Sequence, residues 1–531
     1  MSKAKSHRLS DTQVQTFICD GFLRLDAGVP MAVHDAVRSK LQWMLDEDYN
    51  PGNNVLPRVP EMQQILDAPV VRGALQSVLG EDYVLHPHRF CHSNLPGEET
   101  ADGPVAGAGS TAFVGWHQDS HSPLARPRHH LPRYAMLLYY PQDTPMELGP
   151  TQLIPGTQYC RSIGADAKAR GLQASGLAGT CWLVHFDVAH GASLNLGHGC
   201  RHMVKFVFAR VSEPTAPSWD CGSRAWQHPP DILNPHAQDV LWQRVWHWLC
   251  GQEPSPSAVE PTAAEIESLL GILVDDGDLP ARLRACSGLA HPAAAAAVEV
   301  LVESFNGPEP LRQNAIYALA GIGPAAVPRL VEHLQKNRSG QWGEGAFVPE
   351  DSAYALAAIG RAALPELEAL SRHDDEWVRI NALFAIGEIG VAAAACLPAL
   401  RTALTDPSHR VVRTALDALG QIGPAAAPAL SDVAALLQTE HHQWGEPLLR
   451  GWSGADQIRV NASMALLRMG PRVPGIEPLL LSMLGDTCGY VDGFAIEALL
   501  RLDTPAALRG ALHHLRTHRW DDTLIRGVRT Y

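Results

Sequence analysis

The chain has 531 residues, 46% of them apolar and 18% charged, with a formal net charge of −14. A single hydrophobic core rarely grows beyond roughly 300 residues, so more than one domain is expected, folded rather than disordered. The acidic balance argues against nucleic acid and anionic membrane surfaces as partners, since both require basic patches. Ten cysteines lie scattered without a CxxC pair, the pattern of reduced thiols. The N-terminal stretch lacks the apolar segment of a signal peptide. No run approaches the roughly 18 uninterrupted apolar residues of a membrane helix; the most apolar-looking stretch, around Ala293 to Val302, carries Glu299. A soluble, cytoplasmic protein is expected.

Residues 10–25 predict a helix capped by Ser10 or Asp11 that leads into a short strand at Phe22 to Leu25. Pro30 to Asp46 and residues 61–79 follow as helical patterns, the second stopped by Gly80. Tyr83 to Ser93 alternates like a strand, with Pro87 marking an edge or bulge. Residues 94–113 are rich in Gly, Pro, Ala and Thr, the composition of a loop or lid. After Asp119 comes an irregular, basic, His-rich segment to Arg133, then strands at Tyr134 to Tyr140, Cys181 to His190 and Arg201 to Arg210. Short strands and the helix Asp239 to Leu249 are expected to complete this half.

Chemistry concentrates at Trp116-His117-Gln118-Asp119, taken with His190 and Arg201. In an extended strand, His117 and Asp119 point to the same side. Two imidazoles and one carboxylate on one face of a metal leave the opposite positions open, the arrangement of a non-haem Fe(II) oxygenase rather than a closed zinc site. Arg201 shares a strand face with Met203 and Lys205, opposite Val204, Phe206 and Phe208. Its planar fork suits bidentate capture of a carboxylate. His86, His88 and His92 are expected to serve packing or substrate contact rather than to form a separate metal cluster. His129, His130, His198 and His202 are expected to be ordinary loop or strand histidines, and Asp187 a structural residue on the opposite strand face.

His117-x-Asp119, His190 and Arg201 resemble the iron and 2-oxoglutarate signature of the phytanoyl-CoA dioxygenase family. Leu148-Gly-Pro-Thr-Gln-Leu-Ile-Pro-Gly-Thr-Gln158 and the opening Leu9 to Phe22 resemble two further segments of that family. The likeness spans about residues 8–250 and implies a double-stranded β-helix, a jelly roll of two facing antiparallel sheets. It implies Fe(II) held by His117, Asp119 and His190, with 2-oxoglutarate as cosubstrate and Arg201 on its distal carboxylate. Two departures stand out. Ser93-Asn94-Leu95-Pro96-Gly97 lacks a lysine the family often has there. Ala192 stands where a small hydroxyl residue is frequent, so Ser193 is the candidate replacement. Related halogenases lack the carboxylate, so Asp119 points to hydroxylation or another oxidation.

From about residue 263 a unit recurs: Arg312-Gln-Asn-Ala…Gly323-Pro, Arg379-Ile-Asn-Ala…Gly390, Arg413-Thr-Ala…Gly423-Pro and Arg459-Val-Asn-Ala…Gly470-Pro. Each is a helix, a glycine turn and a second helix, and such pairs must stack to bury their apolar faces. The units resemble HEAT repeats, roughly six between 263 and 515. The expected division is an oxygenase domain over 1–251, a Pro/Ser-rich linker over 252–262 and an all-α solenoid over 263–531. Two insertions carry Gln-Trp-Gly-Glu, at 341–344 and 443–446, suited either to packing between repeats or to partner recognition. Three functions follow: a hydroxylase of a small molecule or natural product, a hydroxylase of a peptide or carrier-bound substrate recruited by the concave HEAT surface, and a non-catalytic binding scaffold.

Overall fold

The computed structural model describes residues 7–101, 103–112, 114–119, 126–252, 260–275, 277–342, 346–448, 452–471 and 473–517. The first helix, Asp11–Asp20, is closed by a reciprocal cap between Ser10 and Gln13 and ends at Gly21, whose φ of 87° only glycine adopts readily. It feeds β1 (Phe22–Asp26). The helix Met31–Glu47 matches its expected span, whereas 61–79 divides: a short turn of helix ends at Leu66 and Pro69 starts a new helix to Leu79. A proline fits the first turn of a helix but not its interior.

The strands in chain order are β2 (Val84–Asn94), β3 (Glu98–Thr100), β4 (Gly103–Val105), β5 (His117–Gln118), β6 (Arg126–Pro127), β7 (Tyr134–Tyr139), β8 (Thr151–Leu153), β9 (Leu172–Gln173), β10 (Thr180–His185), β11 (Ala189–Ala192), β12 (Arg201–Ala209), β13 (Gln341–Trp342) and β14 (Ala346–Val348). Two antiparallel sheets make the jelly roll, in orders β1-β10-β7-β12-β2 and β5-β11-β8-β9. Their inward side chains merge with the solenoid into one continuous apolar core.

Three sequence expectations change. Cys181 to His190 is not one strand: the chain turns at 186–188 and crosses from the large sheet to the small one. That turn is fastened by the amide of Asp187 donating to His185 Nδ1. Residues 94–113 are not wholly irregular, because β3 and β4 form a hairpin there. Between Arg210 and Gln238 there is no strand among the described residues. Five prolines (214, 217, 229, 230 and 235) remove the amide donors a ladder needs.

Among the described residues from Ala263 to Thr517, stacked helix pairs form a solenoid. Its inner layer comprises the helices Glu309–Ile322, Asp351–Ile359, Glu376–Ile389, His409–Ile422, Gly454–Met469 and Gly489–Leu502, each packed on the next. The repeated arginine has a mechanical use: Arg312 pairs with Asp351 at the start of the next repeat, while Arg379 with Asp406 and Arg459 with Asp486 tie a repeat's first helix to the turn that follows its second. The stretch Glu376–Ala403, rather than Ala293 to Val302, is long and apolar enough to cross a membrane, but it comprises two mostly buried solenoid helices and their turn. All ten cysteines are free.

The inner layer faces the β domain. Tyr317 and Tyr354 hold His130, the first through a 2.9 Å contact of its hydroxyl with Nδ1 and the second by ring stacking at 4.0 Å. Glu388 accepts from Arg133 Nε (2.8 Å) and lies 2.9 Å from His129 Nδ1. Tyr490 meets His88 Nδ1 at 2.7 Å, and Phe494 packs on the His86 ring. The histidines expected in loops or plain packing therefore line the seam between the two regions. Both inserted tryptophans pack between repeats: Trp342 under Arg410 and Arg413, and Trp444 with its indole N–H on the Pro407 carbonyl.

Candidate metal centre

His117 and His190 meet because the ladder places them opposite one another. In the β5–β11 pairing they are direct partners, and directly opposed residues of an antiparallel pair show their side chains to the same face. Their ring centroids are 4.3 Å apart. Asp119 lies just past the end of β5, with Oδ1 3.6 Å from His117 Nε2 and Oδ2 3.6 Å from His190 Nε2. One donor atom from each of the three lies within 4.8 Å of the others. Backbones approach closely here: a Cβ on Gly191 would stand 1.8 Å from the Gly115 carbonyl oxygen, so the residue after His190 has to be glycine.

Electrostatics prepare these groups as ligands. Burial works to raise the Asp119 carboxyl, but Lys205, His190 and His117 outweigh it and hold the pKa well below the usual carboxylate range. Burial, with His117 adding to it, lowers His190 to about 4, and burial also lowers His117 against the pull of Asp119. At neutral pH the centre therefore presents one carboxylate and two neutral imidazoles, the protonation states a metal requires. His190 Nδ1 lies 2.9 Å from the Val188 carbonyl. A carbonyl can only accept, so the proton belongs on Nδ1 and the Nε2 lone pair faces Asp119. Two nitrogens and an oxygen on one side fit a divalent iron-type ion with open positions.

Lys205 is the residue the motif did not disclose. Its Nζ lies 2.7 Å from Asp119 Oδ2, reached from the same face of β12 as Arg201. Strand parity contains that signal, because 201, 203 and 205 alternate with the aromatic face. Arg201 is fully buried and donates through Nε (3.1 Å) and Nη2 (2.9 Å) to the Gly149 carbonyl. Among the described residues no carboxylate pairs with it, and burial lowers its pKa. Asn94 Nδ2 donates to both Gly149 O and Ser193 O, which joins Ser193 to the Arg201 cluster. The Ser193 hydroxyl is buried without a hydrogen-bond partner among the described residues. A buried guanidinium lacking a counter-ion among the described residues fits an incoming carboxylate.

Of the remaining histidines, His92 comes near this cluster: its carbonyl takes a long contact from Arg201, and Lys205, Asp119 and Arg201 all bear on its ring. His202 is buried between Ser93 and Gln42, and His198 is exposed. Asp187 sits in the sheet-crossing turn, not on a strand face, and pairs with Arg126.

Residues 35–203 match the phytanoyl-CoA dioxygenase (PhyH) family, residues 353–444 match HEAT repeats, and residues 311–336 match the PBS lyase HEAT-like repeat. The chain thus carries a PhyH domain followed by HEAT repeats. No curated protein matches it significantly. Among solved structures it is similar to EctD from S. alaskensis with 2-oxoglutarate and 5-hydroxyectoine (16% identity over 44% of this chain and 89% of that one, TM-score 0.32). It is also similar to the non-heme alpha ketoglutarate dependent epimerase SnoN from nogalamycin biosynthesis (13%, 38% and 83%, 0.29). A third is AviO1 from Streptomyces viridochromogenes (16%, 38% and 96%, 0.29).

Proposed function

We propose that the chain is an Fe(II)- and 2-oxoglutarate-dependent dioxygenase that hydroxylates, or otherwise oxidises, an unactivated C–H bond of a small-molecule or natural-product substrate. The observation that carries this reading is the convergence of His117, Asp119 and His190 on one point, with buried, carboxylate-free Arg201 on β12 of the facing sheet. His117, Asp119 and His190 would hold the iron. Arg201 would take the distal carboxylate of 2-oxoglutarate, with the Ser193 hydroxyl beside it. Bound there, iron would supply activation of dioxygen coupled to decarboxylation of the cosubstrate.

The chain's own residues do the positioning. Val188 holds the His190 tautomer, Lys205 anchors one oxygen of Asp119, and Arg201 offers a planar fork from a rigid strand. A retained Asp119 would leave no room for a halide ligand and favours hydroxylation or another oxidation over halogenation. Recruitment of a peptide or carrier-bound substrate by the solenoid has less support, because the inner helical layer is occupied by the β domain.

Anaerobic addition of Fe(II) and 2-oxoglutarate to the full chain is expected to give a weak visible charge-transfer band that His117→Ala abolishes. Arg201→Met is expected to keep iron binding and weaken 2-oxoglutarate. Absence of the band in the unaltered protein would overturn the enzyme reading in favour of a scaffold.

A further inference from the structure

The metal-binding strand β5 is very short and pairs only with β11, whereas the segment that follows it in sequence is held by the solenoid. β6, which follows β5 in sequence, pairs in parallel with β14 of the first tryptophan insertion, Arg126 opposite Ala346 and Pro127 opposite Phe347. The ladder continues with the Arg128 amide donating to the Phe347 carbonyl at 2.9 Å. On the other side of that residue, the Tyr354 hydroxyl donates to the Arg128 carbonyl at 2.6 Å. The backbone of Arg128 is therefore held from both directions by solenoid residues.

Its side chain turns back toward the metal centre. Arg128 Nη1 donates to Gln118 Oε1 at 2.8 Å and to the carbonyls of Arg161 (2.7 Å) and Cys160 (3.3 Å). Gln118 is the residue between the two ligands of the His-x-Asp pair. Its amide nitrogen lies 3.0 Å from each of three carbonyls, those of Thr157, Cys160 and Asp187. Asp187 lies at the middle of the turn that delivers His190 and is itself paired with Arg126.

We propose that Arg128 is a positioning residue through which the solenoid holds the metal ligands in place: Phe347 and Tyr354 fix Arg128, Arg128 fixes Gln118, and Gln118 fixes the spacing of His117, Asp119 and His190. The metal site is thereby shared between the two regions although every ligand comes from one of them. Partners that orient metal ligands typically govern affinity by about 10- to 100-fold. This inference rests on the metal reading above.

The test uses the full chain and Co(II) alone as probe, with the dissociation constant read from the visible d–d bands under anaerobic conditions. Arg128→Met is expected to weaken Co(II) by about tenfold or more. Arg128→Lys, which can keep part of the Nη1 contacts, is expected to restore part of that loss. Tyr354→Phe removes one hydrogen bond from the solenoid side and is expected to weaken Co(II) by about 2- to 10-fold. Tyr490→Phe removes a comparable bond at the far end of the same seam, to His88, and is expected to leave Co(II) affinity unchanged. Should Arg128→Met fail to fold, the contrast between Tyr354→Phe and Tyr490→Phe decides. Unaltered affinity in Tyr354→Phe, or equal losses in both tyrosine variants, overturns the proposal. No Co(II) binding by the unaltered protein instead overturns the metal reading itself.

Discussion

In the five-stranded sheet the strands run 5 to 11 residues and pair along nearly their whole length, with a single register shift between Phe206 and Phe208. In the four-stranded sheet no strand exceeds four residues, and β5, which bears His117, has two. The long sheet carries Arg201 and Lys205 on a framework that its own ladder makes rigid. The short sheet carries the ligand histidines with few backbone bonds of its own, so its geometry has to be borrowed from side chains such as Gln118 and from neighbouring segments. A jelly roll can thus divide its work, one sheet supplying stiffness and the other supplying chemistry.

That division can be tested by damaging each side. The largest stability loss is expected from Glu388→Gln, which leaves buried Arg133 and His129 without their shared carboxylate, at about 3–5 kcal/mol in denaturant unfolding. Leu137→Ala in the long sheet, at a fully buried position paired with Phe206 on the face away from Lys205, should cost about 2–5 kcal/mol while Co(II) affinity in the remaining folded protein is retained. Gly191→Ala in the short sheet is expected to show the reverse: a smaller loss of about 1–3 kcal/mol with Co(II) binding abolished, because the added carbon displaces Gly115. Equal retention of metal in these two variants would remove the distinction between the sheets.

Acidification gives a graded version. Burial holds His129 at about 4 and His130 and His185 at about 3, against 6.5 in an exposed chain. The unfolded protein therefore takes up protons that the folded one refuses. The stability these groups contribute is complete above pH 6.5 and drains as the pH falls toward 4. Glu388, driven to about 2 by Arg133 and His129 against its burial, adds a loss of the same sign below about pH 4.5. Melting temperatures between pH 7 and 4 should fall steadily, and a flat profile would show that these histidines titrate freely. The mildest change, Tyr490→Phe, is expected to cost about 1 kcal/mol.

The sequence disclosed what depends on local pattern. The parity of β12 separated Arg201 and Lys205 from the aromatic face, the His-x-Asp spacing set the ligand pair, and glycine-punctuated helices declared the solenoid. What depends on distant pairing was not legible. His129 and His130 look like loop residues until Glu388, Tyr317 and Tyr354 arrive from the repeats. Cys181 to His190 has unbroken strand composition, yet the fold turns it at 186–188 to change sheets. Lys205 becomes notable only once Asp119 lies beside it, and Gln118 only once three carbonyls surround its amide.

The hydroxyl of Tyr354 and the Arg128 carbonyl it grips are 226 positions apart. During synthesis at roughly 5–20 residues per second, many seconds separate the emergence of the two. Over that interval Arg128 lacks the solenoid groups that hold its backbone, and contacts closing so long a loop form late. On the proposed metal reading, the ligand set would be fully braced only in the finished polypeptide, which would keep a redox-active ion away from a half-made chain.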